Sequence, residues 1–492
     1  MKIIKTGKEA RESLKRGIDT VANCVKISLG PSGRNAIIGK KFESPEITND
    51  GVTIAKAIIL EDEIENLGAD KVREVGSMTD DSVGDGTTTA TVLLQAILNE
   101  GFIRLEGEFG KKKIDSIIIK NEIDESCRKV VEELKQLAIP IKTKKELEQV
   151  AFVSVENRST AQLIASLFDK IGKDGIVRVE DGAFDVTSEV VEGMEIGAGY
   201  YSPDMANNDE RELVLNNVKL LITNSEITKI GQLDGLAEKL VAQGIKELVI
   251  VSDGVSKDVQ DTFVVHKLKG NMTIHAIKPT WFTLKERYDD LVARFGGTFF
   301  DKDKSLFIET ADVNHLGTVS KIIATKDKTI LIGGSGDTKQ RVKELKSELK
   351  ASLGAFDKKK LEDRIASLSG GIGIIRVGGT TETEKGYWKK KIIDAVGATK
   401  AAMDEGVVAG GGLAFKSIAE KLPKNILTES LKSPYNQIME NAGGVFEVGD
   451  DIIDPVKITR VALQNACSLA GLILTIEVAS AEQNDNPTSK NN

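Results

Sequence analysis

The chain has 492 residues, 40% hydrophobic and 29% charged, with 67 basic and 75 acidic side chains and a formal net charge of −8. Those values describe a globular protein of two to four domains and argue against a nucleic-acid binder. No apolar run is long enough to span a bilayer, so no membrane partner is expected. Cys24, Cys127 and Cys467 are too scattered for a disulfide framework, which fits a reducing, cytoplasmic setting. Residues 1–6 lack the apolar core of a secretion signal. His266, His275 and His315 lack metal-ligand spacing.

Residues 6–28 carry Ala10, Leu14, Ile18, Val21 and Val25 at helical spacing. The helix is expected to stop at Leu29-Gly30-Pro31-Ser32-Gly33, because Pro31 and the glycines cannot continue it. A short strand is expected at 35–38. The run 47–54 reads as a tight turn on Asp50-Gly51. Helices are predicted at 67–78, 90–98 and 114–137, with a break at Pro140, then at 145–150 and 161–171. A strand and turn follow at 176–182.

Around Gly193 the pattern changes. Strands at 218–223, 247–252 and 273–278 alternate with helices at 233–243, 257–268 and 284–293, the signature of a separate α/β module. A strand at 329–332, a charged helical stretch at 338–368 and a glycine-rich strand at 370–378 come next. The helical style then resumes, with 385–403 carrying Asp394, a glycine turn at 406–412, a helix to 422 and an apolar helix at 458–476. The polar tail from about 481 is expected to be disordered. The α/β module is thus inserted in a mostly helical body that begins and ends the chain.

One stretch stands out for its chemistry: Val83-Gly84-Asp85-Gly86-Thr87-Thr88-Thr89-Ala90. A glycine turn feeding a helix N-terminus aims free backbone N–H groups and the positive dipole end at one spot, which suits a phosphate. The threonines add hydroxyl donors, and Asp85 has the hard oxygen ligand that a cation bridging phosphates needs. There is no Gly-Lys-Ser/Thr, so this is not a P-loop. From these residues alone, a second reading stays open, in which Asp85 or a threonine only caps a helix. Likewise Asp50 can be a plain turn residue and Asp394 a solvated carboxylate on an amphipathic helix.

Four motifs occur in order: Leu29-Gly30-Pro31-x-Gly33-Arg34-Asn35, Thr48-Asn49-Asp50-Gly51-Val52-Thr53, Gly84-Asp85-Gly86-Thr87-Thr88-Thr89-Ala90-Thr91 and Glu405-Gly406-Val407-Val408-Ala409-Gly410-Gly411-Gly412. With Val179-Glu180-Asp181-Gly182, Glu192-Gly193-Met194 and Asp454-Pro455, they make the chain resemble the group I chaperonins of the GroEL type, nearly end to end. The resemblance implies an α/β multidomain fold. Its helical equatorial domain would span 1–136 and 405–492, a small α/β intermediate hinge domain 137–192 and 374–404, and an inserted α/β apical domain 193–373. It implies an ATPase subunit of a homo-oligomeric, seven-membered single or double ring. Such a ring binds unfolded polypeptide and promotes its folding with a small GroES-like co-chaperonin.

Residue by residue, the resemblance implies that Ser28, Leu29, Gly30 and Pro31 lie along the nucleotide. Asp85 would bind Mg2+, and Gly86, Thr87, Thr88 and Thr89 would cradle the phosphates. Asp50 and Asp394 would orient and activate the attacking water, with Asp394 delivered only when the hinge closes. Gly411 and Asp454 would meet the ribose, and the Asn49 carbonyl would serve a K+ ion. The client surface would include Tyr200, Met205, Leu233, Leu236, Phe263, Val264 and Val265.

The chain departs from the family in four places, one being Asn49, which stands where a lysine is often seen. Asp204, Asp234 and Gln260 stand where large apolar side chains are usual on the client surface. The segment between Asn441-Ala442-Gly443 and Asp454-Pro455 is much shorter than usual, which removes part of the adenine wall. The tail lacks Gly-Gly-Met repeats. A specialised, client-restricted scaffold is therefore the alternative to a general foldase. A small-molecule kinase is a third reading, disfavoured by the lack of an acceptor-substrate site.

Overall fold

The computed structural model describes residues 2–39, 45–109, 111–173, 175–279, 286–351, 355–444, 449 and 452–482. Among them the α-helices are, in chain order, α1 (Gly7–Val25), α2 (Gly51–Ala57), α3 (Glu63–Val83), α4 (Thr87–Glu106), α5 (Ser116–Leu137), α6 (Lys144–Val155), α7 (Arg158–Ile171), α8 (Asp234–Ala242), α9 (Lys257–Leu268), α10 (Glu286–Phe295), α11 (Thr338–Ala351), α12 (Ala355–Ser369), α13 (Glu382–Glu405), α14 (Leu413–Lys421), α15 (Ile426–Ser430), α16 (Ser433–Asn441) and α17 (Val456–Leu474). The chain divides into two compact units. One comprises residues 1–169, 179–188 and 375–492, the other 170–178 and 189–374.

The first unit is built on α1, α3, α4, α5 and α17, whose apolar faces share one core. Helix α4 is apolar almost all round, and Ala90 through Leu94 are buried in succession, so it occupies the centre. Helices α1 and α3 cross closely because Gly17 and Gly68 carry no side chain. A Cβ at Gly17 would lie 1.8 Å from the Glu65 carbonyl oxygen, and one at Gly68 2.1 Å from that of Leu14. Strand Lys2–Thr6 pairs antiparallel with Val478–Glu482, tying the two ends of the described chain together. The tail expected to be disordered from about 481 is therefore a strand as far as Glu482, and residues 483–492 lie outside the described residues.

Two expectations are corrected here. The turn on Asp50-Gly51 is the start of α2, because the Asp50 carboxylate accepts the N–H groups of Val52 and Thr53, both at 3.0 Å, and caps the helix. The predicted helix at 67–78 is the middle of a longer one, since its cap Asp62 lies further out than the apolar pattern reaches, and the one predicted at 145–150 runs on to Val155.

The second unit holds a mixed sheet. Strands Thr273–Ile277, Glu247–Val251 and Leu213–Thr223 are parallel neighbours, joined through α8 and α9. Antiparallel strands Gly317–Ala324, Thr329–Ile332 and Thr187–Ile196 then continue the sheet. Leu236, Leu240, Val259 and Phe263 turn inward from α8 and α9 onto Leu248, Ile250 and Ile274. The spacing of four within each helix sets that inner face.

Candidate nucleotide site

Helix α3 ends and α4 begins across a two-glycine hinge with one acid between. Gly84 caps α3 at φ +71°, and Gly86 precedes α4 at φ +87°, both left-handed conformations that favour glycine. No side chain caps α4, so its first N–H groups stay unclaimed by a cap. A Cβ on Gly86 would sit 2.5 Å from Ile458 Cγ2, so α17 presses directly on this turn.

That turn opens into a cavity of about 670 Å³. Every residue expected on the nucleotide side lines it: Ser28, Leu29, Gly30, Pro31, Asn49, Asp50, Asp85, Gly86, Thr87, Thr88, Thr89, Asp394, Gly411 and Asp454. They come from six separate stretches of the chain. The 29–31 loop is held by Asn441, whose Nδ2 donates to the Lys26 and Leu29 carbonyls at 2.9 Å each. Ser28 Oγ and Thr88 Oγ1 stand 3.3 Å apart. Strands Val407–Ala409 and Ile453–Pro455 pair antiparallel and set Asp454 opposite Val408. The Gly411 N–H donates to Asp454 Oδ2 at 3.0 Å, so that N–H is already used within the protein.

The electrostatics are those of an acidic cage. Burial, with help from the carboxylates of Asp454, Asp80 and Asp50, pushes Asp85 up to about 7, against the pull of its hydrogen bond from Gly86 N–H. Burial also raises Asp394 well above the usual range. Asp85, Asp50 and Asp80 add to the rise, and Lys391 opposes it. Asp454 rises to about 6 through burial, opposed by the Gly411 N–H. Each of these groups still keeps some surface open to the cavity. They are enclosed by protein yet reachable by a ligand. Carboxylates raised together in one cavity mark a place where negative charge is crowded and an incoming cation is favoured.

Among the described residues no three His, Cys, Asp or Glu side chains come together as a metal cage. A Mg2+ ion needs only one or two carboxylates when phosphate oxygens supply other ligands, and Asp85, next to the α4 N-terminus, fits that mode.

Several features of the site were not foreseen. Lys390 Nζ donates to Thr53 Oγ1 at 2.8 Å and pairs with Glu46; the Thr53 hydroxyl in turn donates to Asp50. This chain ties α13 to the cap of α2. Lys391, one turn before Asp394, pairs with Glu156 at 2.9 Å. Its spacing of three from Asp394 was visible, though nothing in the sequence told which helix face would turn inward. The α6 residues Gln149, Phe152 and Val153 form another wall. At the shortened segment Ile452 and Ile453 line the cavity, with Ile438 of α16, while residues 445–448, 450 and 451 of the expected adenine wall lie outside the described residues.

The expected client residues fall into two groups. Met205, Leu233, Leu236 and Phe263 are buried at 0–2% exposure, which corrects their assignment to an open surface. They are the inward positions of their elements, filling apolar cores of the second unit. Tyr200 and Val264 are half-buried, and Val265 is exposed. The large apolar side chains exposed on α8 and α9 are Val241, Val265 and Leu268.

This architecture is that of a chaperonin with a GroEL-like multidomain fold. The chain belongs to the TCP-1/cpn60 chaperonin family, whose profile matches residues 21–443. Its fold is similar to that of the chaperonin gp146 from the bacteriophage EL 2 (Pseudomonas aeruginosa), crystallised in the presence of ATP-BeFx. One crystal form of gp146 gives a TM-score of 0.70 at 18% identity and another 0.64 at 17%, each over 98% of this chain and 99% of that one.

Proposed function

We propose that the protein is an ATP-hydrolysing chaperonin subunit that assembles into rings and assists the folding of non-native polypeptide. The observation that carries this reading is the convergence of Asp50, Asp85 and Asp394 on one cavity with the uncapped N-terminus of α4. Phosphoryl transfer to water asks for positioning and charge neutralisation rather than a covalent nucleophile. The first N–H groups of α4 and the hydroxyls of Thr87, Thr88 and Thr89 receive phosphate oxygens. Asp85 would hold Mg2+, which when bound supplies positive charge to the phosphates. Asp50 and Asp394 orient the water. The water oxygen bonds to the γ-phosphorus as the bond to the β,γ-bridging oxygen breaks. ADP leaves with that electron pair, and the water proton passes through a carboxylate to phosphate or solvent. Asn49 would offer its carbonyl to K+, and Asp454 would meet the ribose. Gly411 takes part by fixing Asp454, since its N–H is spent on that carboxylate.

In this reading residues 1–136 and 405–492 form an equatorial part, 137–192 and 374–404 a hinge, and 193–373 an apical part in a seven-membered single or double ring. A small co-chaperonin would cap it in a cytoplasmic setting. A client-restricted chaperonin is the second reading, favoured by the burial of four of the seven expected client residues. Electron microscopy with and without ATP, ATPase assays and refolding of several unrelated clients test these points together. Asp394→Ala is expected to keep the ring and ATP binding and to lose nearly all turnover. Unchanged turnover removes Asp394 from the mechanism. Rescue of one client alone favours the second reading.

A further inference from the structure

The acidic cage raises a question of charge. Asp50, Asp85, Asp394 and Asp454 line the cavity, and the incoming triphosphate is itself polyanionic. One divalent ion offsets only part of that charge, and there is no P-loop lysine. Three cationic side chains line the same cavity among the described residues: Lys145, Arg158 and Lys391. Lys145 and Arg158 are exposed, and Arg158 lies over the Phe152 ring with its guanidinium carbon 5.9 Å from the centroid. Lys391 is different, with a side chain only 6% exposed.

Burying a lysine is costly unless it is paired, and Lys391 is paired in an uneven way. Its partner Glu156 is half-exposed, at the left-handed C-cap of α6 with φ +53°. A carboxylate there is readily rehydrated when the ammonium leaves. The same ammonium stands 5.6 Å over the Tyr387 ring. On α13, Lys391 precedes Asp394 by three residues, so the two side chains share a helix face, and both line the cavity. The four-carbon stem of lysine allows its head to move by several ångströms without moving the helix.

We propose that Lys391 is a catalytic cation. In the transition state of hydrolysis it leaves Glu156 and binds an oxygen of the γ-phosphoryl group, delivered on the same helix as Asp394. This deepens the ATP-hydrolysis reading and rests on it. Glu156 is the resting partner that keeps the lysine charged and parked while no triphosphate is present. One helix then brings both the cation that neutralises the γ-phosphoryl and the carboxylate that orients the water, so neither works without the other.

The test compares Lys391→Met, Lys391→Arg and Glu156→Gln with the unaltered protein. Single-turnover ATP hydrolysis is measured beside calorimetric affinities for ADP and for ADP with aluminium fluoride, a mimic of the transferring group. Loss of one charge-stabilising donor at such a centre typically lowers the rate by about 10²–10³-fold. Lys391→Met is expected to show that loss and an equal loss of affinity for ADP with aluminium fluoride, while ADP alone binds within about threefold of normal. Lys391→Arg recovers at least about tenfold of the rate, because it restores a donor and a charge. Glu156→Gln retains the cation, so it is expected to lose much less of the rate than Lys391→Met. If the pair is merely a strut between α6 and α13, Lys391→Met and Glu156→Gln lose the same stability and the same activity, and the proposal fails. It also fails if Lys391→Met hydrolyses ATP within about threefold of normal. Failure of the unaltered protein to bind ADP overturns the underlying ATP reading instead.

Discussion

Gly86→Ala tests the turn on which the site is built. The backbone there has φ +87°, a left-handed conformation that costs an L-residue about 1–2 kcal/mol. The new methyl would also lie 2.5 Å from Ile458 Cγ2, well inside the 3.4–4 Å of ordinary contact. Either α17 or the turn must yield. Overpacking of this kind costs about 1–3 kcal/mol, so the total is about 2–5 kcal/mol. Chemical denaturation of the nucleotide-free protein reads the stability, and calorimetry with ADP reads the site. Both are expected to fall, because displacing residue 86 redirects the first N–H groups of α4. Ile458→Ala is destabilising by itself, through lost burial. It nevertheless removes the clash, so in the double variant the two costs combine to less than their sum by about 1–3 kcal/mol. Additive losses, or a Gly86→Ala protein within about 0.5 kcal/mol of normal, would refute the claim that this contact and this backbone conformation set the turn.

Two further predictions concern pH and clients. Asp85 at about 7 and Asp454 at about 6 bind protons more tightly folded than unfolded, where the ordinary value is 3.8. The folded protein therefore holds more protons than the unfolded chain between about pH 4 and 7, and its stability falls as pH rises through that window. The nucleotide-free melting temperature should drop from pH 5 to pH 7.5, less so in Asp85→Asn; a flat profile refutes the acidic cage. For clients, Leu268→Asp and Val265→Asp should weaken aggregation suppression without changing stability by more than about 0.5 kcal/mol. Phe263→Ala should instead destabilise the second unit by about 3–5 kcal/mol, as for any buried Phe. A stable Phe263→Ala protein that no longer binds clients would restore Phe263 to the surface role.

What local residue chemistry decides was legible without coordinates. Gly84-Asp85-Gly86 followed by three threonines announces a turn into a helix, because only glycine takes left-handed φ freely and an unclaimed helix N-terminus attracts anions. The alternation of strands and helices between 213 and 277 is likewise a matter of period, and the second unit contains it. The ends of helices were misjudged where a polar cap extended the element beyond its apolar stripe, as at Asp62.

Which face of a helix points inward is another matter. Leu236 and Phe263 looked like surface anchors by position in the chain, but burial of a face depends on what packs against it, and the sheet strands claim those residues. The tertiary structure alone turns Lys391 into the cavity and ties Lys390 through Thr53 to Asp50. These groups lie more than 300 residues apart along the chain, and no local rule of spacing can set them side by side. The sequence by itself determined the glycine turn into α4, the acids and the order of elements, because those are properties of neighbouring residues. The fold decided which charges meet and which apolar side chains stay exposed, because both depend on distance and burial in space.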